Sequence, residues 1–360
     1  MTINVKISIF LQLSIVILYC WPVVIQAQSQ SERDIRNALE KHDKAVRVFG
    51  GTMRDPFVTL APDGYYYLAS TRPRNVFPDG MPGMQFFRSR DLVGWEKLNP
   101  MWDARDSEYG KELIDAASKR NTHAGIWAPE VHFIDGKWVV VNTSNMRMAN
   151  ILMTKGKDLT GPYIEPMGIN VGFHRDPTIF VDDDGAKYML AGSAEIFKLK
   201  NDLSGFEDYH KLIGPEDRLL GHEGVYVIKV GRKYVMFGTG WSTDNMRRGT
   251  YNLYYCIADK VTGPYGPRKF AGRYLGHGTP FKDKKGRWWC TAFYNADHPT
   301  LTPEEAATMD LSKAAYTINQ GGLTVVPMDI YEENGDVVVH VKDEAYRYPG
   351  KEEVQKFDIK

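Results

Sequence analysis

Residues 176–192 read DPTIFVDDDGAKYMLAG, and this stretch decides the fold. An acidic residue opens it, a short apolar run follows, and Asp184-Gly185 separates that run from a second one. An Asp-Gly pair between two short apolar runs is a strong hairpin signal, because both central residues of such a turn need positive φ angles. The stretch therefore predicts a β-hairpin whose first residue is Asp176.

The same layout occurs five times along the chain. The units open with Asp55, Ala128, Asp176, Glu223 and His277, and a turn glycine follows each opening residue after eight or nine positions. Most units are close to the ~40–50 residues of a four-stranded propeller blade, while the first is lengthened by insertions at residues 72–84 and 101–125. Such units are stable only when they stack on neighbours. The chain is therefore predicted to be all-β and to fold as a five-bladed β-propeller.

Two helices are predicted outside the blades. The first covers about residues 31–46, within an N-terminal helical segment at residues 28–47. The second covers about residues 303–315, where Thr302 is the N-cap and Glu305 completes a capping box. Residues 48–350 are predicted to form the propeller, which is the catalytic domain. No run between the predicted strands has the pattern of a 10–15-residue helix, which argues against a parallel α/β sheet.

The first 27 residues have a different composition from the rest of the chain. Lys6 precedes a nearly apolar run at residues 7–25, and Ala27 is small. This pattern predicts a signal peptide over residues 1–27 that is cut near Ala27. We therefore expect a secreted or periplasmic protein with no stable membrane insertion after cleavage. Because Ile25 is not ideal three positions before the cut, an uncleaved membrane anchor is the alternative.

The charge balance of the chain limits its partners. Lys plus Arg and Asp plus Glu number 45 each, which gives a formal net charge of zero. A neutral chain has no bulk electrostatic hold on nucleic acid, so no nucleic-acid partner is expected. An oligosaccharide or polysaccharide partner fits this balance. Cys256 and Cys290 lie in separate β-like runs, which favours two buried free thiols over a disulfide bridge.

The opening residues of the units are predicted to meet at one point. Each begins the innermost strand of a blade, so Asp55, Asp176, Glu223 and His277 should converge on the propeller axis. Glycoside hydrolysis needs a carboxylic acid that protonates the leaving oxygen and a carboxylate that activates water, and a third carboxylate nearby keeps the acid protonated. For any one of these residues a turn or structural role is the simpler interpretation. The catalytic prediction depends on all four occupying one repeat position.

The residues just before the openers are predicted to bind substrate. Trp127 suits stacking on a sugar ring, with packing between blades as the alternative. Arg54, Arg175 and His222 precede three of the other openers, and an arginine at such a position binds sugar hydroxyls or orients a carboxylate. Trp241, in a loop of blade four, is predicted to contribute to a further sugar subsite.

The ordered motifs resemble those of glycoside hydrolase family 43. They are Arg54-Asp55-Pro56, Trp127-Ala128-Pro129-Glu130-Val131, Arg175-Asp176-Pro177, His222-Glu223-Gly224 and Gly276-His277-Gly278, within about residues 50–295. The resemblance implies an inverting enzyme that acts on β-D-xylosides, α-L-arabinofuranosides or galactosides, in glycans from plant or algal polysaccharides. It implies that Asp55 is the general base, Glu223 the general acid and Asp176 the carboxylate that tunes the acid. It also implies that His277 lies beside a central metal ion, usually calcium.

One departure from the family pattern keeps other functions open. Members of the family commonly carry an arginine late in blade five that contacts the sugar, whereas residues 294–298 read YNADH. The alternatives are a non-catalytic carbohydrate-binding propeller and a retaining fructosidase-like enzyme, whose two carboxyl groups would stand only ~5–5.5 Å apart. The retaining alternative fits less well, because Arg54 precedes Asp55 and Gly224 follows Glu223, and neither residue is usual in that class.

Overall fold

The computed structural model describes residues 31–72, 76–215 and 218–357. These residues divide into two compact units, with the boundary between His42 and Asp43. In the first unit, residues 31–41 form helix α1. The helix predicted over residues 31–46 is shorter than expected, because β1 (Val46–Phe49) already belongs to a sheet of the second unit. The predicted signal peptide lies outside the described residues.

The second unit contains five small antiparallel sheets, and these are the blades of a five-bladed β-propeller. The predicted fold class is confirmed. Each of the first four blades has four main strands that neighbour one another in chain order. Blade one has β2 (Arg54–Leu60), β3 (Tyr66–Thr71), β5 (Phe87–Ser89) and β6 (Trp95–Lys97). Blade two has β8 (Ile126–Ile134), β9 (Lys137–Ser144), β10 (Asn150–Thr154) and β11 (Tyr163–Ile164).

The third and fourth blades repeat this arrangement. Blade three has β12 (Thr178–Val181), β13 (Lys187–Ala191), β14 (Glu195–Leu199) and β15 (Phe206–Leu212). Blade four has β16 (Glu223–Val230), β17 (Lys233–Trp241), β18 (Gly249–Ala258) and β19 (Lys269–Gly272). The first strand of each blade is the innermost, so the five first strands surround the axis.

Blade five combines strands from both ends of the second unit. It contains β20 (Pro280–Lys282), β21 (Trp288–Ala292), β23 (Leu323–Glu333) and β24 (Asp336–Val341), and β1 pairs with β23. The hairpin predicted at Asn334-Gly335 is the turn between β23 and β24 and completes this blade, as expected. Because β1 pairs with a strand more than 270 residues later in the chain, this sheet closes the ring.

The insertion at residues 101–125 is not only a loop. It contains β7 (Trp102–Asp103), which pairs with β4 (Gly83–Met84), and helix α2 (Glu108–Lys119). The prediction that no 10–15-residue helix lies between the strands is therefore wrong, although the fold class does not change. The helix begins at the N-cap Ser107 and buries Tyr109, Leu113 and Ala117. These residues are four positions apart, so they share one face of the helix.

The later helices are short. Helix α3 (Pro303–Thr308) has the predicted capping box between Thr302 and Glu305, but it ends seven residues before the predicted end. Beyond it, β22 (Ala315–Tyr316) pairs in parallel with β18, and α4 (Glu344–Arg347) follows β24. None of the helices among the described residues has the length and apolar character needed to cross a bilayer. Both predicted free thiols, Cys256 and Cys290, are buried and unbridged.

Aromatic residues pack the blades against one another. Between blades one and two, the ring centroids of Tyr67 and Trp138 lie 4.4 Å apart. Between blades three and four, the rings of Phe180 and Tyr234 meet edge to face at 5.9 Å. Aromatic pairs of this geometry add about 0.5–1.5 kcal/mol beyond the burial of their surface. The stacked faces therefore fix the blades and, with them, the starts of the inner strands.

A threonine near the end of the second strand ties three of the blades to the next one. The Oγ1 atom of Thr71 accepts a hydrogen bond from the backbone N–H of Ala128 at 2.6 Å. The hydroxyl of Thr143 donates to the carbonyl of His174 at 2.8 Å, and Thr239 Oγ1 accepts from the N–H of His277 at 2.7 Å. These bonds hold the opening segments of blades two, three and five in place around the axis.

Candidate active site

Each inner strand has one residue with a left-handed backbone at or near its start. These residues are Asp55 (φ 49°), Ala128 (φ 44°), Asp176 (φ 48°), Gly224 (φ 66°) and His277 (φ 54°). In blades one, two and four the pairing with the second strand slips by one position at this point, as in a β-bulge. A non-glycine residue in this conformation costs about 1–3 kcal/mol, and Asp and His tolerate it better than bulkier residues.

The left-handed position of blade four is Gly224, one residue after the predicted opener Glu223. In the strand register, Glu223 pairs with Thr239 as Arg54 pairs with Thr71 in blade one. The prediction that all four functional residues share one repeat position is therefore wrong for Glu223, which is equivalent to Arg54. An alignment based on polar residues could not reveal this offset, because it is visible only in the strand register and in the backbone angle of Gly224.

Despite the offset, the four side chains meet at the axis. The Nδ1 atom of His277 lies 3.2 Å from Oδ1 of Asp55 and 4.0 Å from Oδ2 of Asp176. Ligand atoms of Asp176, Glu223 and His277 all lie within 4.8 Å of one another. We call these four residues the axial cluster.

Two glycines make this approach possible. A Cβ atom on Gly224 would lie 2.8 Å from the His277 ring, and the φ of Gly224 is also unfavourable for other residues. A Cβ atom on Gly276 would lie 2.2 Å from the ring of Tyr251. Both positions therefore need glycine for a steric reason, which explains the Glu-Gly and Gly-His pairs of the sequence.

Asp55 is held in its ionised form. Burial by itself raises the pKa of a carboxyl group, but attraction to His277 and hydrogen bonds from His277 and Thr71 outweigh it, so the pKa of Asp55 is lowered to about 2. The Thr71 hydroxyl donates to Oδ2 of Asp55 at 2.7 Å. Burial likewise lowers the pKa of His277, but Asp55 and Asp176 raise it to about 10. Asp55 and His277 are therefore a charged pair at neutral pH.

Asp176 and Glu223 lie in a different electrostatic environment. Burial, together with repulsion from Glu223 and Asp55, raises the pKa of Asp176 to about 7 against the attraction of His277 and Arg175. A carboxylate oxygen of Glu223 lies within 4.8 Å of one of Asp176. Near neutral pH the axial cluster therefore contains a carboxylate at Asp55 and, at Asp176, a carboxyl group that still binds a proton.

Three neighbours surround the carboxyl group of Glu223. The hydroxyl of Tyr251 donates a hydrogen bond to it, Nη1 of Arg175 lies 3.4 Å away, and Nε2 of His222 lies 3.8 Å away. Burial lowers the pKa of His222, which favours the neutral imidazole. These groups orient Glu223 while one-fifth of its side chain stays exposed.

A cavity of about 520 Å³ opens onto the axial cluster, and we call it the axial cavity. Of the predicted substrate-binding residues, Arg54, Trp127 and Arg175 line it. Trp127 is 44% exposed, so its ring is available to a ligand. His222 and Trp241 instead line a neighbouring cavity of about 310 Å³. Met246 lines both.

Trp241 does not present an open ring face. It is 4% exposed, and its ring packs against Tyr251 at 4.6 Å between centroids. The guanidinium of Arg247 lies 5.9 Å from its ring centre. Trp241 therefore supports the tyrosine that donates to Glu223, and its predicted contact with sugar stays a prediction.

Sequence reasoning missed several residues of the site. Thr71 carries a signal that was available, because Thr71, Thr143 and Thr239 recur at equivalent places near the end of the second strand. Tyr251 and Arg72 carry none, because only the folded ring of blades brings them to the axis. Arg72 and Arg147 both line the axial cavity.

The axial cluster would supply only part of the ligand shell of a calcium ion. Calcium takes six to eight oxygen ligands, waters among them, whereas Asp176, Glu223 and His277 offer two carboxylates and an imidazole. Calcium beside His277 therefore stays a prediction, and no step below passes through a metal.

Comparison with known proteins places these features in a family. The sequence model of "Glycosyl hydrolases family 43" matches residues 47–310. A xylan 1,3-beta-xylosidase from Vibrio sp is 32% identical over 151 residues, which are 40% of this chain and 25% of that protein. A xylosidase/arabinosidase from Butyrivibrio fibrisolvens is 28% identical over 181 residues, which are 47% of this chain and 31% of that protein. The chain thus matches only about a quarter to a third of the length of these curated relatives.

Solved structures show the same fold. The GH43 BlXynB protein from Bacillus licheniformis aligns with a TM-score of 0.59 and 19% identity, over 87% of this chain and 60% of that one. A thermostable family-43 glycoside hydrolase aligns with a TM-score of 0.54 and 21% identity, over 86% and 97% of the two chains. At these identities the likeness supports the fold alone.

Proposed function

The chain belongs to glycosyl hydrolases family 43, and from this premise we propose that it is a glycosidase that cleaves O-glycosyl bonds with inversion of configuration. One observation carries the proposal. Within one cluster, Asp55 is paired with His277 and held ionised, while the pKa of Asp176 beside Glu223 is raised to about 7. Pairs of carboxyl groups whose environments separate their protonation states are the pattern of acid and base catalysis.

Each residue of the cluster has a role in this mechanism. Asp55 accepts the proton of a water molecule that attacks the anomeric carbon, and Glu223 donates a proton to the leaving oxygen. The negative charge of Asp176 disfavours a negative charge on the neighbouring Glu223 and so helps to keep the acid protonated. His277 and Thr71 hold Asp55 in place, while Tyr251 and Arg175 orient Glu223.

Substrate and location are proposed on separate grounds. The names of the Vibrio and Butyrivibrio relatives refer to xylosidase and arabinosidase activities, so we propose xylosides or arabinofuranosides from plant or algal polysaccharides as substrates. The exposed ring of Trp127 in the axial cavity supports a sugar ligand. The N-terminal apolar run supports export to the periplasm or outside the cell.

The test is hydrolysis of a panel of nitrophenyl glycosides by the purified protein, with the anomeric configuration of the product followed by proton NMR. We expect release of xylose or arabinose with inverted configuration. Retained configuration would contradict Asp55 as a base and favour the fructosidase-like alternative. Binding of oligosaccharides without any hydrolysis would favour the carbohydrate-binding alternative.

A further inference from the structure

Counting the charges around the axial cavity leaves an excess of positive charge. Four arginines and three carboxylates line it, together with the charged His277. His277 lies against Asp55 and Asp176, Arg175 lies against Glu223, and Arg54 also attracts Asp55. Arg72 and Arg147 have no such match among the described residues.

Contacts within the described residues support this count. Arg54 donates to the neutral amide oxygen of Asn295 at 3.0 Å, and its Nε atom is buried without an acceptor. Nη1 of Arg72 is also buried without an acceptor, and burial lowers the pKa of Arg72. Arg147 is exposed at the cavity and forms no ion pair with any described residue. A desolvated guanidinium without a partner is costly unless a ligand supplies one.

We propose that the axial cavity binds a sugar unit that carries an anionic group, a carboxylate or a sulfate, through Arg72 and Arg147. This inference rests on the proposed function and narrows its substrate class to acidic glycans. The planar guanidinium matches both groups with two parallel hydrogen bonds. Arg72 follows Thr71, the residue that holds Asp55, so the anionic sugar lies beside the bond that is cut.

Arg72 and Arg147 come from adjacent blades. Arg72 directly follows β3 in blade one, and Arg147 lies in the loop between β9 and β10 in blade two. Arg147 has a left-handed backbone, with φ 61°, which costs about 1–3 kcal/mol for a residue other than glycine. Exposed Trp127 and Met246 in the same cavity provide apolar surface for the sugar ring. The cavity therefore combines apolar contact with positive charge.

The test measures binding, with the fluorescence of the protein as readout, because Trp127 lines the cavity. The ligands are a neutral xylotriose, the same oligosaccharide with a glucuronate substituent and the same oligosaccharide with a sulfate ester. We expect at least one acidic ligand to bind at least 10-fold more tightly than the neutral one, with a preference that weakens as salt is raised. Equal affinities for all three ligands would overturn the proposal.

Variants locate the effect. Arg72→Gln should reduce the ratio of acidic to neutral affinity at least 10-fold, and Arg72→Lys should restore part of it, because lysine keeps the charge but not the planar fork. Arg88→Gln is the matched control, since Arg88 is paired with Glu96 in blade one and does not line the cavity. An unchanged ratio in Arg72→Gln would contradict the assignment.

This experiment separates the proposal from the proposed function. Binding is measured without turnover, so a protein that prefers acidic oligosaccharides but hydrolyses none would support the anion site and contradict the glycosidase mechanism. A protein that hydrolyses neutral glycosides but binds acidic and neutral oligosaccharides equally would support the glycosidase mechanism and contradict the anion site. The better of the two acidic ligands identifies the anionic group.

Discussion

Two buried polar clusters lie on or just before the inner strands of the blades, and they differ in how completely their polar groups are partnered. One is the axial cluster. The other, which we call the inner cluster, consists of Glu130, His132 and Thr178. Glu130 accepts a hydrogen bond from the Thr178 hydroxyl at 2.5 Å, and its Oε2 atom lies 3.0 Å from Nε2 of His132.

The inner cluster is closed, whereas the axial cluster is open. None of the three inner residues lines the axial cavity, and the ring of Phe57 packs against His132 at 5.0 Å. One carboxylate meets one imidazole and one hydroxyl there. At the axial cluster three carboxyl groups surround one imidazolium. Incomplete matching beside a cavity is typical of a catalytic site, and complete matching in the core is typical of a structural one.

The strongest test of this contrast is one substitution made in both clusters. Glu223→Gln should lower kcat by about 10²–10⁴-fold, because the amide cannot donate the proton. Asp55→Asn should have an effect of similar size, because the amide cannot accept a proton from water. Glu130→Gln is the control and should keep kcat within about 3-fold, because the amide oxygen still accepts from Thr178. Initial rates on the best glycoside measure all three.

These variants also need a check on folding. Circular dichroism and thermal unfolding should show a folded protein in each case, since replacing a carboxyl group by an amide hardly changes the volume of the side chain. If Glu223→Gln or Asp55→Asn kept more than a tenth of the activity, the assigned acid and base would be wrong. If Glu130→Gln lost activity as strongly as Glu223→Gln, the two clusters would not differ as argued.

The second prediction compares the effects of substitutions in the two clusters on stability rather than on activity. Glu130→Ala leaves His132 and Thr178 without their buried partner, and the free energy of unfolding should fall by about 3 kcal/mol. Glu223→Gln should leave stability unchanged or raised, because it removes repulsion between Glu223 and Asp176. Urea unfolding measures both. A larger loss of stability in Glu223→Gln than in Glu130→Ala would reverse the comparison.

Much of the fold could be predicted from local signals. The Asp-Gly turns after Asp55 and Asp176 lie between short apolar runs, and both become the hairpins that begin blades one and three. The helix in the insertion at residues 101–125 was missed, because its buried face consists of only Tyr109, Gly110, Leu113 and Ala117. Its stability comes from packing on blades one and two, which a single sequence does not show.

Residues of the candidate site could be predicted from the sequence where the residue type is related to the backbone conformation. Asp55, Asp176 and His277 stand at left-handed positions that repeat with each blade. Glu223 does not share that position, so the prediction that it joins the other three at the axis rested on a false equivalence. Tyr251 and Arg72 reach the site only through tertiary structure, and no spacing in the sequence relates them to Glu223 or Asp55.

The smallest expected effect is a dependence of kcat/KM on pH, which distinguishes the two clusters in the unmodified protein. The pKa of Asp176 is raised to about 7, chiefly by burial and then by repulsion from Glu223 and Asp55. Below pH 7 the Asp176 carboxyl keeps its proton, and above pH 7 it is ionised, so the axial cluster loses this carboxylic acid. The value of kcat/KM should therefore fall about tenfold for each pH unit above 7.

The acid side of the profile follows from the opposite shift. The pKa of Asp55 is lowered to about 2, so the base stays ionised down to about pH 3 and no acid limb should appear above that value. Glu130→Gln should show the same profile as the unmodified protein, because the inner cluster takes no part in the proton transfer. A profile that stays flat to pH 9 would mean that activity does not depend on the proton of Asp176. A pH profile that is shifted in Glu130→Gln would mean that the two clusters are coupled, contrary to their separation in the structure.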